Sequence, residues 1–222
     1  MNNLQILYED NHLLVVIKPI NILSQSDHTK DLDMLTILKK YLKEKYQKPG
    51  NVYLGLVHRL DRPTGGIMVF ARTSKAASRL SKQIKDGDFK KTYLAVVHGK
   101  TYKKDTLKNY LLKEKDKSII TTKEKGKYAE LDYELLEYNE TYDLSLLKIN
   151  LKTGRNHQIR VQFKGINHPL YGDNRYNNEK AKNLGLYAYK LEFIHPTTKE
   201  KLTFTNYPDY DPFTKFKKLF KK

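Results

Sequence analysis

The chain has 222 residues, enough for one large domain or two small ones with a sizeable core. It carries 42 Lys and Arg against 25 Asp and Glu, a formal charge of +17 that favours a polyanionic partner such as nucleic acid. The absence of cysteine excludes disulfides, thiolate nucleophiles and cysteine-ligated zinc. The N-terminal residues lack a signal-peptide pattern, and no apolar run approaches the roughly 18 residues of a membrane span. A cytoplasmic protein with no membrane partner is therefore expected.

The first part of the chain mixes short apolar strands with amphipathic helices. Leucines recur at helical spacing opposite lysines in one segment, and Thr73 or Ser74 can act as the N-cap of a second helix. In chain order we predict a strand at 13–17, a helix at 32–46, strands at 53–57 and 67–71, and a helix from 74 to about 85.

The second part is predicted to contain more strands than helices. Gly154 turns the chain into a short helix, for which Asn156 is a plausible N-cap and Gly165 a plausible C′ residue. Further strands are predicted at 93–97, 144–151, 186–194 and 202–205. Because helices and strands do not alternate strictly, we expect an α+β fold with a mixed sheet, in a single domain over residues 1–222.

Two basic segments lie outside these elements. Residues 103–127 are rich in lysine and glutamate, which predicts an exposed, mobile excursion with a solvated face. Residues 213–222 form a basic amphipathic tail, whose apolar side is expected to pack onto the body of the protein. Contact of its lysines with the RNA backbone is the second possibility, and contact with a membrane surface is the third. The apolar side consists of Phe213, Phe216, Leu219 and Phe220.

The densest chemical motif is the segment 57–66, which reads VHRLDRPTGG. It places Asp61 between Arg59 and Arg62 and close to His58, and nearby positive charge favours the ionised form of a carboxyl. An ionised, positioned aspartate can act as a nucleophile toward a sugar carbon. Taken alone, the same loop is more often a surface turn with an ordinary ion pair.

This motif and several others resemble the RluA-type pseudouridine synthases. The catalytic motif of that family is similar to residues 58–66, and Gly65 and Gln162 stand where many members carry serine and histidine. The other resembling segments, in family order, are 8–19, 91–99, 153–161, 168–173 and His195-Pro196. The resemblance implies a largely antiparallel, bisected sheet flanked by helices. It also leads us to expect no S4-like RNA-binding domain before a core that begins near residue 1.

The resemblance implies three catalytic residues. Asp61 would act at C1′ of the target uridine. Arg160 would pair with Asp61 and keep it ionised and oriented, and Tyr93 would stack on the uracil. Extruding the nucleotide from a stacked RNA costs a few kcal/mol, which contacts such as those of Arg59 must offset.

The remaining expected site residues contact the substrate or shape the site. His58 is expected to shape the Asp61 loop, and His157 to form hydrogen bonds beside the short helix. Arg62, Thr64 and Arg155 complete the predicted substrate-binding set. The seven histidines show no pair at metal-binding spacing, so neither a metal nor another cofactor is expected.

The leading hypothesis is an RNA pseudouridine synthase, a monomer that acts on tRNA, on large-subunit ribosomal RNA, or on both. A non-catalytic RNA-binding protein or RNA chaperone with the same basic cleft is the alternative, although binding alone requires no carboxylate facing phosphates. A glycosidase acting on free sugars or nucleosides would explain Asp61. It would not explain the positive charge, and the sequence shows no evident second carboxylate for acid catalysis.

Overall fold

The computed structural model describes residues 4–179 and 181–219. They fall into two compact units. The first unit contains the chain through Lys90 together with Lys190–Asn206, and the second contains Lys91–Tyr189 with the chain from Tyr207 onward. In this described part, no helix has both the length and the apolar character needed to cross a bilayer.

Three α-helices and eleven strands form the regular structure of the described residues. The helices are α1 (Met34–Lys45), α2 (Ser74–Asp86) and α3 (Gln158–Gly165). The strands are β1 (Ile6–Glu9), β2 (Leu13–Lys18), β3 (Gly55–Leu56), β4 (Gly65–Ala71), β5 (Lys90–His98), β6 (Lys104–Glu114), β7 (Lys117–Thr121), β8 (Lys127–Asn139), β9 (Leu144–Leu151), β10 (Leu186–Ile194) and β11 (Lys201–Thr205). The pairings are largely antiparallel and helices do not alternate strictly with strands, which confirms the predicted α+β class.

Strand β4 is the central element of the first unit and is buried along its whole length. It pairs antiparallel with β2, which places Lys18 opposite Gly66, and the short β3 also pairs with it. Helix α2 contributes Ala76 and Leu80 to the same apolar core. Burial of a large apolar side chain stabilises the fold by about 1.5–3 kcal/mol. This core therefore holds β4 in place, and with it the end of the loop that leads into β4.

The second unit is built on a series of antiparallel strands in the order β5, β9, β8, β6 and β7. Tyr93 on β5 lies opposite Ile149 on β9. Leu94 and Val96 point into an apolar core that also contains Phe213 and Phe216. Since side chains alternate along a strand, Tyr93 lies on the other face of β5.

Most of the predicted core elements are confirmed within a few residues. Helix α1 occupies the predicted segment, where the Asp33 side chain accepts a hydrogen bond from the Thr36 N–H at 3.0 Å. Thr73 caps α2 as predicted, by accepting from the Ala76 N–H at 3.1 Å. The strand predictions at 144–151 and 186–194 match β9 and β10.

Residues 103–127, expected to be an exposed, mobile excursion, are largely strand in the structure. The segment forms β6 and β7, and β6 pairs with β8 so that Leu107 lies opposite Leu131. Leu107 and Leu111 are buried. The lysines and the glutamate of β6 are exposed, so the highly charged composition did not reveal that this strand has buried leucines.

Two details of helix ends also differ from the predictions. Helix α3 begins one residue later than an Asn156 N-cap requires, because His157 occupies the cap position with a left-handed backbone (φ 51°). Gly165 is the last residue of α3 rather than a residue beyond its end.

The tail forms two short 3-10 turns with Phe213 and Phe216 fully buried, and Phe220 lies outside the described residues.

Candidate active site

The connection from β3 to β4 carries Asp61 in the first unit. The Thr64 N–H donates to the Asp61 carbonyl at 3.0 Å, which closes a turn around Pro63. Gly66 follows with a φ of 125°, a conformation that residues with a Cβ rarely adopt. Asp61 itself is partly exposed. The carboxylate is therefore held by a tight turn whose far end is fixed in the buried strand β4.

Lys18 lies beneath this loop and is fully buried. Its ammonium donates to three backbone carbonyls: Pro19 at 2.9 Å, Ile22 at 2.6 Å and Arg62 at 3.1 Å. Burial lowers the pKa of Lys18 to about 7, and the negative charge of Asp61 opposes that shift. An ammonium has three donors, so every donor of Lys18 is used to tie the Asp61 loop to the end of β2.

A second anchor holds the residue before Asp61. The Ser24 hydroxyl accepts from the Leu60 N–H at 3.1 Å and donates to the Leu60 carbonyl at 2.8 Å. On the other side of the loop, His58 Nε2 accepts from the Val69 N–H at 3.1 Å. These bonds join the loop to neighbouring backbone, and the position of His58 supports the predicted role of shaping the loop.

The other predicted binding residues of this loop differ in exposure. Arg59 is exposed and forms no hydrogen bond or ion pair with any residue in the described ranges. Arg62 donates to Asp31 at 2.7 Å, an ion pair with both side chains about half exposed. The Thr64 hydroxyl is buried and has no hydrogen-bond partner among residues 4–179 and 181–219. Arg59 is thus the side chain of the loop that is most available to a ligand.

In the second unit, the third family motif leads into α3, which carries Arg160. The Arg160 guanidinium donates to both carboxylate oxygens of Asp173, at 2.8 and 2.6 Å. Both side chains are almost completely buried. A bidentate pair of this kind fixes the plane of the guanidinium, so Arg160 is held in one orientation.

Tyr176 extends this network. Its ring lies 5.2 Å from the Arg160 guanidinium, and its hydroxyl accepts from the Ser118 N–H at 2.8 Å. The same hydroxyl is 3.1 Å from Nδ1 of His157. Burial raises the pKa of Tyr176, which keeps the phenol protonated. The hydrogen bonding predicted for His157 is therefore present, and it connects the start of α3 to β7.

The turn before α3 is held by its own side chains. Gln158 Oε1 accepts from the Arg155 N–H at 3.0 Å and from the Thr153 hydroxyl at 2.7 Å. The Arg155 Nε donates to the Tyr128 carbonyl at 2.8 Å, while the rest of the side chain is exposed. The exposed guanidinium end of Arg155 is positioned for a ligand by this local anchoring.

The predicted site residues fall into two groups, one in each unit. The first unit brings together the residues of one loop: His58, Arg59, Asp61, Arg62 and Thr64. The second unit brings Arg155, His157 and Arg160 together around the start of α3. Tyr93 belongs to the second unit and is largely buried on β5. No group of three or more potential metal ligands occurs within the described residues.

Sequence reasoning missed four residues that hold these groups in place. Lys18 and Ser24 support the Asp61 loop, and Asp173 and Tyr176 support Arg160. Lys18 precedes a proline in a resembling segment, which was a usable signal, but nothing in the sequence indicated that its partner would be Arg62. Asp173 is likewise the last residue of segment 168–173, which resembles a motif of the family.

Comparison with known proteins identifies the family of this chain. A family model described as RNA pseudouridylate synthase matches residues 12–164. The ribosomal large subunit pseudouridine synthase C of Buchnera aphidicola subsp. Schizaphis graminum is 34% identical over 218 residues, covering 91% of this chain and 66% of that protein. The tRNA pseudouridine synthase C of Haemophilus influenzae is 33% identical over 226 residues, covering 91% of this chain and 92% of that protein.

A solved structure is also similar. The human RNA pseudouridylate synthase domain containing 1 matches with a TM-score of 0.75 and 26% sequence identity, covering 95% of this chain and 85% of that one. The α+β fold is thus that of a pseudouridine synthase domain. This chain belongs to the RNA pseudouridylate synthase family, as the resemblance predicted. It spans about two-thirds of the length of the Buchnera relative.

Proposed function

We propose that this protein is an RNA pseudouridine synthase, an isomerase with one catalytic domain, in which Asp61 acts at C1′ of a target uridine. The observation that carries the proposal is the construction of the Asp61 loop. A partly exposed carboxylate is held on a turn by a saturated buried lysine and by Ser24. Such rigid support is what a reacting group needs, since misplacement by about 1 Å can cost 100-fold in rate.

The reaction requires no redox step and no activated donor. The N1–C1′ bond of the uridine breaks, the uracil turns, and a bond forms between C5 and C1′ while the C5 proton is lost and N1 gains one. Asp61 assists at C1′ while that carbon has no bond to the base. We assign Tyr93 to stacking on the uracil and Arg160 to orienting the carboxylate, on the strength of the family motifs. No cofactor is required by these steps.

The substrate is RNA, and we propose a uridine in tRNA, in large-subunit ribosomal RNA, or in both. The formal charge of +17 supports a polyanion. The Buchnera relative is named for the ribosomal large subunit and the Haemophilus relative for tRNA, and both match most of this chain. We further propose that the protein acts as a cytoplasmic monomer.

Mapping of pseudouridine in tRNA and ribosomal RNA, with and without the gene, tests the activity and names the substrate. The wild type should restore a site that is lost in the deletion strain, and Asp61→Asn should not. Asp86→Asn is the matched control, because it makes the same substitution at the end of α2, where Asp86 forms an ion pair with the exposed Lys82. This control should restore the site.

The binding of RNA by purified Asp61→Asn protein separates the proposal from the alternative. A synthase should lose turnover in this variant and keep its RNA affinity. If the wild type binds RNA but forms no pseudouridine in any pool, the protein is an RNA-binding protein or chaperone. Full activity in Asp61→Asn would show that the mechanism is wrong.

A further inference from the structure

A second desolvated lysine, Lys91, has no hydrogen-bond or ion-pair partner among the residues that the structure describes. It begins the part of β5 that belongs to the second unit and is only partly exposed. Burial lowers the pKa of Lys91. Within residues 4–179 and 181–219 its ammonium forms no hydrogen bond or ion pair. A desolvated charge without a partner costs free energy, and a ligand of opposite charge would recover it.

The space around the ammonium is provided by the turn before α3. A Cβ built on Gly154 would lie 3.3 Å from Nζ of Lys91, so glycine at this position lets the ammonium approach the backbone. The neighbouring Arg155 has an exposed side chain that is anchored at Nε to the Tyr128 carbonyl. Two cations of the second unit therefore flank Gly154, and the turn between them is fixed by Gln158.

The position of Lys91 on β5 relates this pair to the proposed reaction. Lys91 and Tyr93 are two residues apart, so both lie on the strand face opposite Leu94, about 7 Å apart along the strand. If Tyr93 contacts the target base, then Lys91 is close enough to reach the phosphate backbone of the same RNA strand.

We propose that Lys91, together with Arg155 across the Gly154 turn, binds a phosphate of the RNA backbone beside the target nucleotide. This inference rests on the proposed function in one respect, namely that the ligand is RNA. A phosphate accepts hydrogen bonds from both cations and replaces the water that Lys91 has lost. A contact of this kind positions the strand without reading its sequence.

The salt dependence of RNA binding tests the assignment. The probe is bulk tRNA, titrated into the full chain over a range of KCl concentrations. Lys91→Met should weaken binding about tenfold and lower the slope of log K against log salt by about 0.7–1, because one phosphate contact is lost. Lys91→Arg should keep the slope. Lys90→Met is the control, since it removes the same charge from the adjacent exposed lysine and should leave both quantities within twofold.

A measurement on the wild type covers the case in which Lys91→Met does not fold. Carbon NMR of the lysine ε-methylene, with Lys91 assigned through Lys91→Arg, should show the Lys91 pKa rising when tRNA is added. An unchanged pKa would overturn the inference, as would unchanged affinity and slope in folded Lys91→Met. None of these readouts uses turnover, so an absence of pseudouridine formation would count against the proposed function alone.

Discussion

Lys18 and Lys91 are both desolvated lysines, and they differ in how the protein treats the charge. Lys18 in the first unit is fully buried and donates to three backbone carbonyls. Lys91 in the second unit keeps some exposure and has no partner in the described part of the chain. A buried lysine whose three donors are all used holds the neighbouring backbone in place. A lysine whose donors are not used can still bind a ligand. The same residue type therefore holds the Asp61 loop in one unit and is assigned to the substrate in the other.

The largest expected effect is on turnover in Lys18→Met. Removing the ammonium releases the Arg62 carbonyl in the Asp61 loop and two carbonyls in the chain after β2, so we expect single-turnover rates on the mapped RNA to fall about 100-fold. RNA affinity should stay within twofold, because Lys18 has no exposed atom to offer the RNA. The opposite pattern, a loss of affinity with unchanged turnover, would remove the distinction between the two lysines.

The pH dependence of stability should reveal the charge state of Lys18. Its pKa is about 7 in the folded protein and near 10.5 when unfolded, so the unfolded state binds more protons between these values. The free energy of unfolding contributed by Lys18 therefore rises with pH in this window, by about 2 kcal/mol from pH 7 to pH 9. Urea unfolding of the wild type and Lys18→Met at several pH values measures it. Curves that run parallel would show that Lys18 has an ordinary pKa.

Ser24→Ala should have a moderate effect on stability. The Leu60 N–H loses its acceptor and the Leu60 carbonyl loses a donor in a buried position, which costs about 1–2 kcal/mol of unfolding free energy. Turnover should fall less than in Lys18→Met, because the three bonds of Lys18 remain. Equal losses of turnover in the two variants would show that Lys18 has no special role in holding the loop.

The smallest expected effect is on the stability of Lys91→Met. Because the ammonium has no partner to lose among residues 4–179 and 181–219 and its desolvation cost disappears, the free energy of unfolding should stay within about 0.5 kcal/mol of the wild type or increase. Denaturant unfolding without RNA measures the change. A clear loss of stability would identify Lys91 as a structural residue and contradict its assignment to the substrate.

The elements that the sequence predicted well are those with a strong local pattern. Helix α2 has a capping threonine and apolar residues at helical spacing, and β9 is a short apolar run, so both were placed correctly. Strand β6 was missed because lysines and glutamates outnumber its buried leucines. The N-cap of α3 was misplaced by one residue because the Gln158 side chain, and not that of Asn156, binds the turn.

The candidate site shows the same division. Asp61 and the residues around it could be recognised from one contiguous motif, and the family followed from motifs in the right order. The residues that support them could not be recognised, because Lys18 is 44 positions away from Arg62 and Ser24 is 36 positions from Leu60. Contacts at such separations leave no periodic signal in a single sequence.

Local chemistry and periodicity thus defined the fold class, the main elements and the carboxylate of the loop. The tertiary structure decided what each charged group does. Whether a lysine is saturated, unsatisfied or simply solvated depends on its burial and on the carbonyls or carboxylates that the fold brings to it. These are properties of the packed chain. In the sequence, Lys18 and Lys91 are the same residue type, and nothing local distinguishes their roles.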